Sequence, residues 1–176
     1  TTGEFFDGPY FSWIASKPGN SEGSTITQVQ KDELRKSLLR VVNHVTSRGK
    51  EYACVYGFSQ GAAIVTLLSI PAVLNALHSP PLWRSAILVC GSWYKLLDCA
   101  EQALNISLRG KVSWTPSLHV IGVTDPAKPE SEMLLQRFQM DMDGVKFCSR
   151  HTLYMDSGHS VSNALKLNIE FNTEVH

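Results

Sequence analysis

Tyr52-Ala53-Cys54-Val55-Tyr56-Gly57-Phe58-Ser59-Gln60-Gly61-Ala62-Ala63-Ile64 decides how the rest of the chain is read. It opens as a short apolar run rich in β-formers, which predicts a strand over 52–57. It turns at Gly57-Phe58-Ser59-Gln60-Gly61 and leaves through small and apolar residues that suit a helix over 60–69. Strand, tight turn and helix thus surround a serine in the frame G-x-S-x-G. Such a turn forces the serine into strained backbone geometry and lifts its Oγ clear of the sheet. Gly57 and Gly61 carry no Cβ, so strand and helix can approach each other around it. The backbone N–H of Gln60, at the helix N-terminus, can face a developing oxyanion. The alternative is a purely structural glycine-rich turn.

Working outward, the 176 residues suffice for one domain with a sizeable core. Apolar residues make up 43% and charged ones 18%, ordinary for a globular domain. Sixteen basic residues balance sixteen acidic ones, which leaves no field for nucleic acid or an anionic membrane. No apolar run is long enough to span a bilayer. The opening Thr1-Thr2-Gly3-Glu4 has neither the basic start nor the apolar stretch of a secretory leader, and without a methionine the natural start is expected upstream. Cys54, Cys90, Cys99 and Cys148 have no metal-site spacing. Cys54 and Cys90 fall in runs that read as buried strands, so reduced thiols in a cytoplasmic setting are expected.

Residues 1–23 fit no period. Their aromatics, among them Tyr10 and Trp13, either pack on the core or line a pocket. Residues 25–48 predict a helix, with Leu34, Leu38, Val41, Val42 and Val45 on one stripe. Pro71 is expected to stop or kink the helix that follows the serine turn. Ser85–Gly91 reads as a strand covered on both faces, Ser117–Val123 as the next strand, and Lys146–Met155 contains another. Residues 92–116 are mixed and could cap a site, with a helix near 97–105. Glu130–Met140 reads as a helix, as does the tail from Ser162.

Strands alternating with helical patterns imply a parallel sheet with helices on both faces, whose chemistry lies at the carboxyl ends of the strands. Ser59 follows the first strand, Gly91-Ser92-Trp93 the second, Thr124-Asp125-Pro126 the third and Asp156-Ser157-Gly158-His159 the fourth. A nucleophile, an acid and a histidine therefore emerge at one sheet edge in the order Ser, Asp, His, the order of α/β-hydrolases. Serine needs a base to take its proton, and the base needs a carboxylate to hold its tautomer. Ser59, His159 and Asp125 are the candidates for those roles. Asp125 before a proline could instead cap a turn. Asp156 competes with it but shares the histidine's loop, and His119, inside a strand, reads as a packed residue. Phe58, Tyr10, Trp13 and Trp93 are candidates for an apolar substrate pocket. This chemistry requires no cofactor and no metal.

Gly57-Phe58-Ser59-Gln60-Gly61-Ala62, Gly122-Val123-Thr124-Asp125-Pro126 and Ser157-Gly158-His159 resemble the FSH-type serine hydrolases, small α/β-hydrolases common in fungi. Gly8-Pro9-Tyr10-Phe11-Ser12-Trp13 resembles the aromatic loop of their polyketide-releasing branch. The resemblance spans essentially the whole chain. It implies one α/β-hydrolase domain over 1–176 and cleavage of an ester or thioester through an acyl-serine. The implied substrate is an apolar or polyketide-type acyl chain, free or on an acyl-carrier protein. Members of this family begin with a strand and a His-Gly loop that supplies a second oxyanion donor, and residues 1–23 show neither. The 52–56 strand would then be an open apolar edge. The expectation is that an upstream segment, or a second chain, completes the sheet. Two other readings stand beside this one: a non-hydrolytic cyclase or binding protein on the same fold, and an interaction module built on the open edge.

Overall fold

A computed structural model describes residues 13–14, 26–138 and 150–159. Its elements run α1 (Gln28–Ser47), β1 (Val55–Phe58), α2 (Gln60–Ser69), α3 (Pro71–Ala76), β2 (Ala86–Val89), α4 (Leu96–Leu104), β3 (Ser117–Gly122), α5 (Lys128–Leu135) and β4 (Arg150–Met155). The four strands are parallel and stand in sequence order. Helices pack around this parallel sheet. α2 packs on β1 and β2, α5 on β3, and α4 on α1 and α2. Tyr56, Ile87 and Leu118, in register with one another, share one face of the sheet and are half-buried or exposed.

Local chemistry explains where α1 and α3 begin. Thr27 caps α1, its hydroxyl accepting the Gln30 N–H while the Gln30 side chain accepts the Thr27 N–H at 2.8 Å, a reciprocal capping box. Leu34, Leu38, Val42 and Val45 bury the α1 stripe and Val41 lies at its margin. α2 is buried nearly all round, as a helix between sheet and helix layer must be. Pro71 opens α3 at its first position rather than only ending α2, because a missing N–H costs nothing in the first turn.

Several expectations need correction. Cys54 is exposed, not buried, because the strand starts at Val55, past Cys54 and three residues later than expected, and, among the described residues, β1 is paired on one side only. Residues 92–116 do not cap the site: Leu96, Leu97, Cys99 and Ala100 of α4 are buried against the core. α5 ends at Leu135, earlier than the apolar pattern suggests, although Phe138 beyond it is buried. The helix expected after 162, Tyr10 and Cys148 lie outside the described residues. No helix among the described residues is long and apolar enough to cross a membrane.

His119 is a core residue of β3, 2% exposed. Its Nε2 lies 3.2 Å from Ser117 Oγ and its ring meets Phe138 edge-on at 4.8 Å. Burial, reinforced by the nearby Arg150 guanidinium, pushes its pKa down to about 3. The unfolded chain takes up this proton below about pH 6.5. Between those values the unfolded state holds the extra proton, so stability rises with pH and is lost on acidification. Relative to His119→Gln, the native protein is expected to lose about 1.4 kcal/mol per pH unit from pH 6 towards pH 4, read by denaturant unfolding at each pH. Equal slopes in the two proteins would refute this assignment.

Candidate active site

Ser59 occupies the N-cap of α2 with φ 52° and ψ −122°, outside the ordinary regions for an L-residue. Such a conformation costs roughly 1–3 kcal/mol and persists only where its surroundings hold it. Here Ser59 N–H donates to the Val89 carbonyl at 3.0 Å, and its own carbonyl accepts from Ala62 and Ser92. The two elbow glycines are not equivalent. A Cβ on Gly57 would meet Ala62 Cα and Gly61 O at 2.9 Å, whereas one on Gly61 would meet only Trp13 Nε1 at 3.9 Å. The close approach of strand and helix is therefore a demand on Gly57 alone. Gln60, the first residue of α2, holds its N–H where no intrahelical carbonyl can reach it. Its side-chain Oε1 accepts the Trp13 N–H at 3.2 Å, and Ser37 Oγ donates to the Trp13 carbonyl at 2.6 Å, which fastens residues 13–14 between α1 and α2.

The ends of β3 and β4 deliver the partners. His159 Nε2 lies 2.8 Å from Ser59 Oγ, and His159 Nδ1 lies 2.9 Å from Asp125 Oδ2. A carboxylate only accepts, so Nδ1–H donates to Asp125 and Nε2 accepts from Ser59. Asp125 is 4% exposed, and its other oxygen accepts the Ala127 N–H at 2.7 Å. It thus caps its turn and orients the imidazole at once, so the two readings of this residue coexist. Asp156 is exposed on the His159 loop. That loop lies hard against the end of β3: a Cβ on Gly122 would meet the Ser157 and Gly158 carbonyls at 2.5 and 2.7 Å. The Phe58 ring packs 5.2 Å from the imidazole.

An apolar groove of about 370 Å³ runs beside β1, lined by Trp13, Val41, Tyr56, Phe58, Ile64 and Trp83 among others. Phe58 and Trp13 therefore share a concave apolar surface. Trp93 does not join them: it packs against the core, its backbone at φ 66° and its N–H on the Glu130 carboxylate. Cys90 reaches the relay from the end of β2, and ligand atoms of Cys90, Asp125 and His159 lie within 4.8 Å of one another. Those donor types suit a soft divalent cation, but His159 and Asp125 already satisfy each other, so an ion would have to displace their shared proton.

Ser92 was not singled out by the sequence beyond its place after the second strand. Its Oγ lies 3.1 Å from Ser59 Oγ. The available signal was positional: a polar residue just past the strand that pairs with the elbow strand.

A family model described as "Serine hydrolase (FSH1)" matches residues 2–168. The chain belongs to this serine hydrolase family. Two curated relatives, both named Esterase FUS5, are 26% identical: one from Gibberella moniliformis over 129 residues, the other from Gibberella fujikuroi over 134. The matches cover 73% and 75% of this chain but 48% and 50% of those proteins, so the chain spans about half the length of the curated relatives it matches. Among solved structures, Zea mays acyl-protein thioesterase 2 is 17% identical with a TM-score of 0.48, over 88% of this chain and 68% of that one.

If the His159 loop is held by its contact with Gly122, Gly122→Ala should push His159 away from Asp125. The downfield proton resonance of the His159 Nδ1–H is expected to vanish from NMR spectra of Gly122→Ala and to survive in Gly61→Ala, where a methyl has room. Its survival in both variants would overturn that role for Gly122.

Proposed function

We propose that this chain carries the catalytic centre of a serine hydrolase that cleaves an ester or thioester through an acyl-serine intermediate. The observation that carries this reading is the unbroken chain from Ser59 Oγ to His159 to the buried Asp125, hung on a strained elbow. Ser59 attacks the carbonyl carbon as His159 Nε2 takes its proton, and the imidazolium then protonates the leaving group. Asp125 stabilises that imidazolium. The Gln60 N–H, unpaired within its helix, donates to the oxyanion. Water then repeats the sequence on the acyl-enzyme.

An apolar acyl chain suits the groove beside Phe58 and Trp13. The finer reading is a polyketide-type acyl group, held as a thioester by an acyl-carrier protein or as a simple ester. It rests on the sequence resemblance, and the esterase names of the fungal relatives favour the ester. The exposed Cys54 and buried Cys99 thiols, neither in a disulfide, support a cytoplasmic setting.

A fluorophosphonate is expected to label Ser59 in the native protein and not in Ser59→Ala, as read by intact-mass and peptide spectrometry. Asp125→Asn should fold normally and lower kcat by about 10³–10⁴ on p-nitrophenyl esters. Absence of labelling in the native protein, or labelling that survives Ser59→Ala, would overturn the assignment. Turnover of matched esters and N-acetylcysteamine thioesters of increasing chain length then ranks the leaving group and the acyl chain.

A further inference from the structure

Ser92 touches the reacting oxygen, and the proton inventory of the site says how. Ser59 has one hydroxyl proton, and it points at His159 Nε2, because Nδ1–H is committed to Asp125. The lone pairs of Ser59 Oγ remain, with Ser92 Oγ 3.1 Å away. Between the two hydroxyls only Ser92 has a proton left to give. We infer that Ser92 is a catalytic hydrogen-bond donor to Ser59 Oγ that accelerates breakdown of the acyl-enzyme rather than its formation. The inference rests on the hydrolase reading above and deepens it.

The donor is held in place from several sides. Ser92 is buried, and its own N–H donates to the Ser59 carbonyl at 3.2 Å. Ser131 Oγ donates to the preceding Gly91 carbonyl at 2.6 Å. The Glu130 carboxylate accepts the N–H groups of Trp93 and Tyr94. α5 thus pins the loop on both sides of Ser92, so the hydroxyl is oriented before the reaction starts.

Its effect differs between the two halves of the reaction. In acylation Ser59 Oγ bonds to the carbonyl carbon, its proton passes to Nε2, and the leaving group departs with that proton. The Ser92 hydrogen bond exists before this step and through its transition state, so it cancels from the barrier. In the acyl-enzyme Oγ is an ester oxygen whose lone pair is delocalised into the carbonyl, and it accepts poorly. In deacylation water adds its oxygen to the acyl carbon while Nε2 takes a proton. The C–Oγ bond then breaks, its electron pair returns to Oγ, and the imidazolium gives Oγ the proton. Ser92 regains its acceptor as that pair arrives. The hydrogen bond is absent from the ground state and present in the transition state, so it counts fully in this half.

Stopped-flow hydrolysis of p-nitrophenyl hexanoate by the full-length protein separates the steps, with the burst rate reporting acylation and the steady state deacylation. Ser92→Ala is expected to lower the steady-state rate about fivefold, the factor one ordinary hydrogen bond supplies, and to change the burst rate less than about twofold. Acyl adduct at Ser59 should accumulate in intact-mass spectra. Ser92→Cys, which keeps the volume with a weaker donor, should behave likewise and keeps the readout if the alanine variant does not fold. Ser92→Thr, which keeps the donor, should restore the native steady-state rate. Equal loss in both phases, or no loss in either, would overturn the role of Ser92. A native protein with neither burst nor fluorophosphonate adduct would refute the hydrolase reading itself.

Discussion

Everything at the carboxyl edge of the sheet depends on one backbone torsion, the positive φ of Ser59. An L-residue does not hold φ 52° with ψ −122° on its own account. The conformation survives because β1 and α2 both pull on it. Gly57 allows α2 to lie against the end of β1 at a distance no side chain would permit, and the Val89 carbonyl fixes the Ser59 N–H to the neighbouring strand. Released from these ties, the chain would relax and the hydroxyl would drop into the helix N-terminus as an ordinary cap. No such side-chain cap bond forms on α2, which leaves the hydroxyl available to His159.

The parallel sheet turns this local feature into a site. With four strands in sequence order and in register, the chain leaves the sheet at the same edge after β1, β2, β3 and β4. Each exit contributes one polar group, respectively Ser59, Ser92, Asp125 and His159. Residues separated by as many as 100 positions meet within hydrogen-bond distance because the strands carry them there. Asp125 is almost fully buried and would be costly if unpaired. Its two oxygens are taken by His159 and by the Ala127 amide, so the carboxylate is satisfied while it orients the base.

α5 has a role in the site without touching the relay. Its first turns supply Glu130 and Ser131, which hold the Gly91–Tyr94 loop. The same helix packs on β3, whose end carries Asp125. Two of the four polar exits are thereby referred to one rigid body, which fits the narrow geometric tolerance of proton transfer and nucleophilic attack. The groove beside β1 completes this arrangement: Phe58 borders both the groove and the imidazole, so an apolar surface and the relay adjoin at one residue.

The amino-acid sequence by itself determined the features written in short-range patterns. The elbow is legible because strand, glycine turn and helix are contiguous. The strands of the sheet are legible as apolar runs, and Ser59, Asp125 and His159 stand out because each sits just past such a run. What it could not show is anything that depends on which face or which neighbour an element meets. The 92–116 stretch resembles a cap in composition, yet α4 is core because its apolar stripe finds α1 and α2. Cys54 reads as interior and is exposed, since burial on an outer strand is set by neighbours and not by the residues' own character. Gly57 and Gly61 look alike in the motif, and only the tertiary approach of Ala62 distinguishes them. The contact between Ser92 and Ser59 is likewise a product of register. Side-chain periodicity is a local property, whereas the meeting of strand ends follows from pairing and crossover packing, and those are decided only when the whole sheet is assembled.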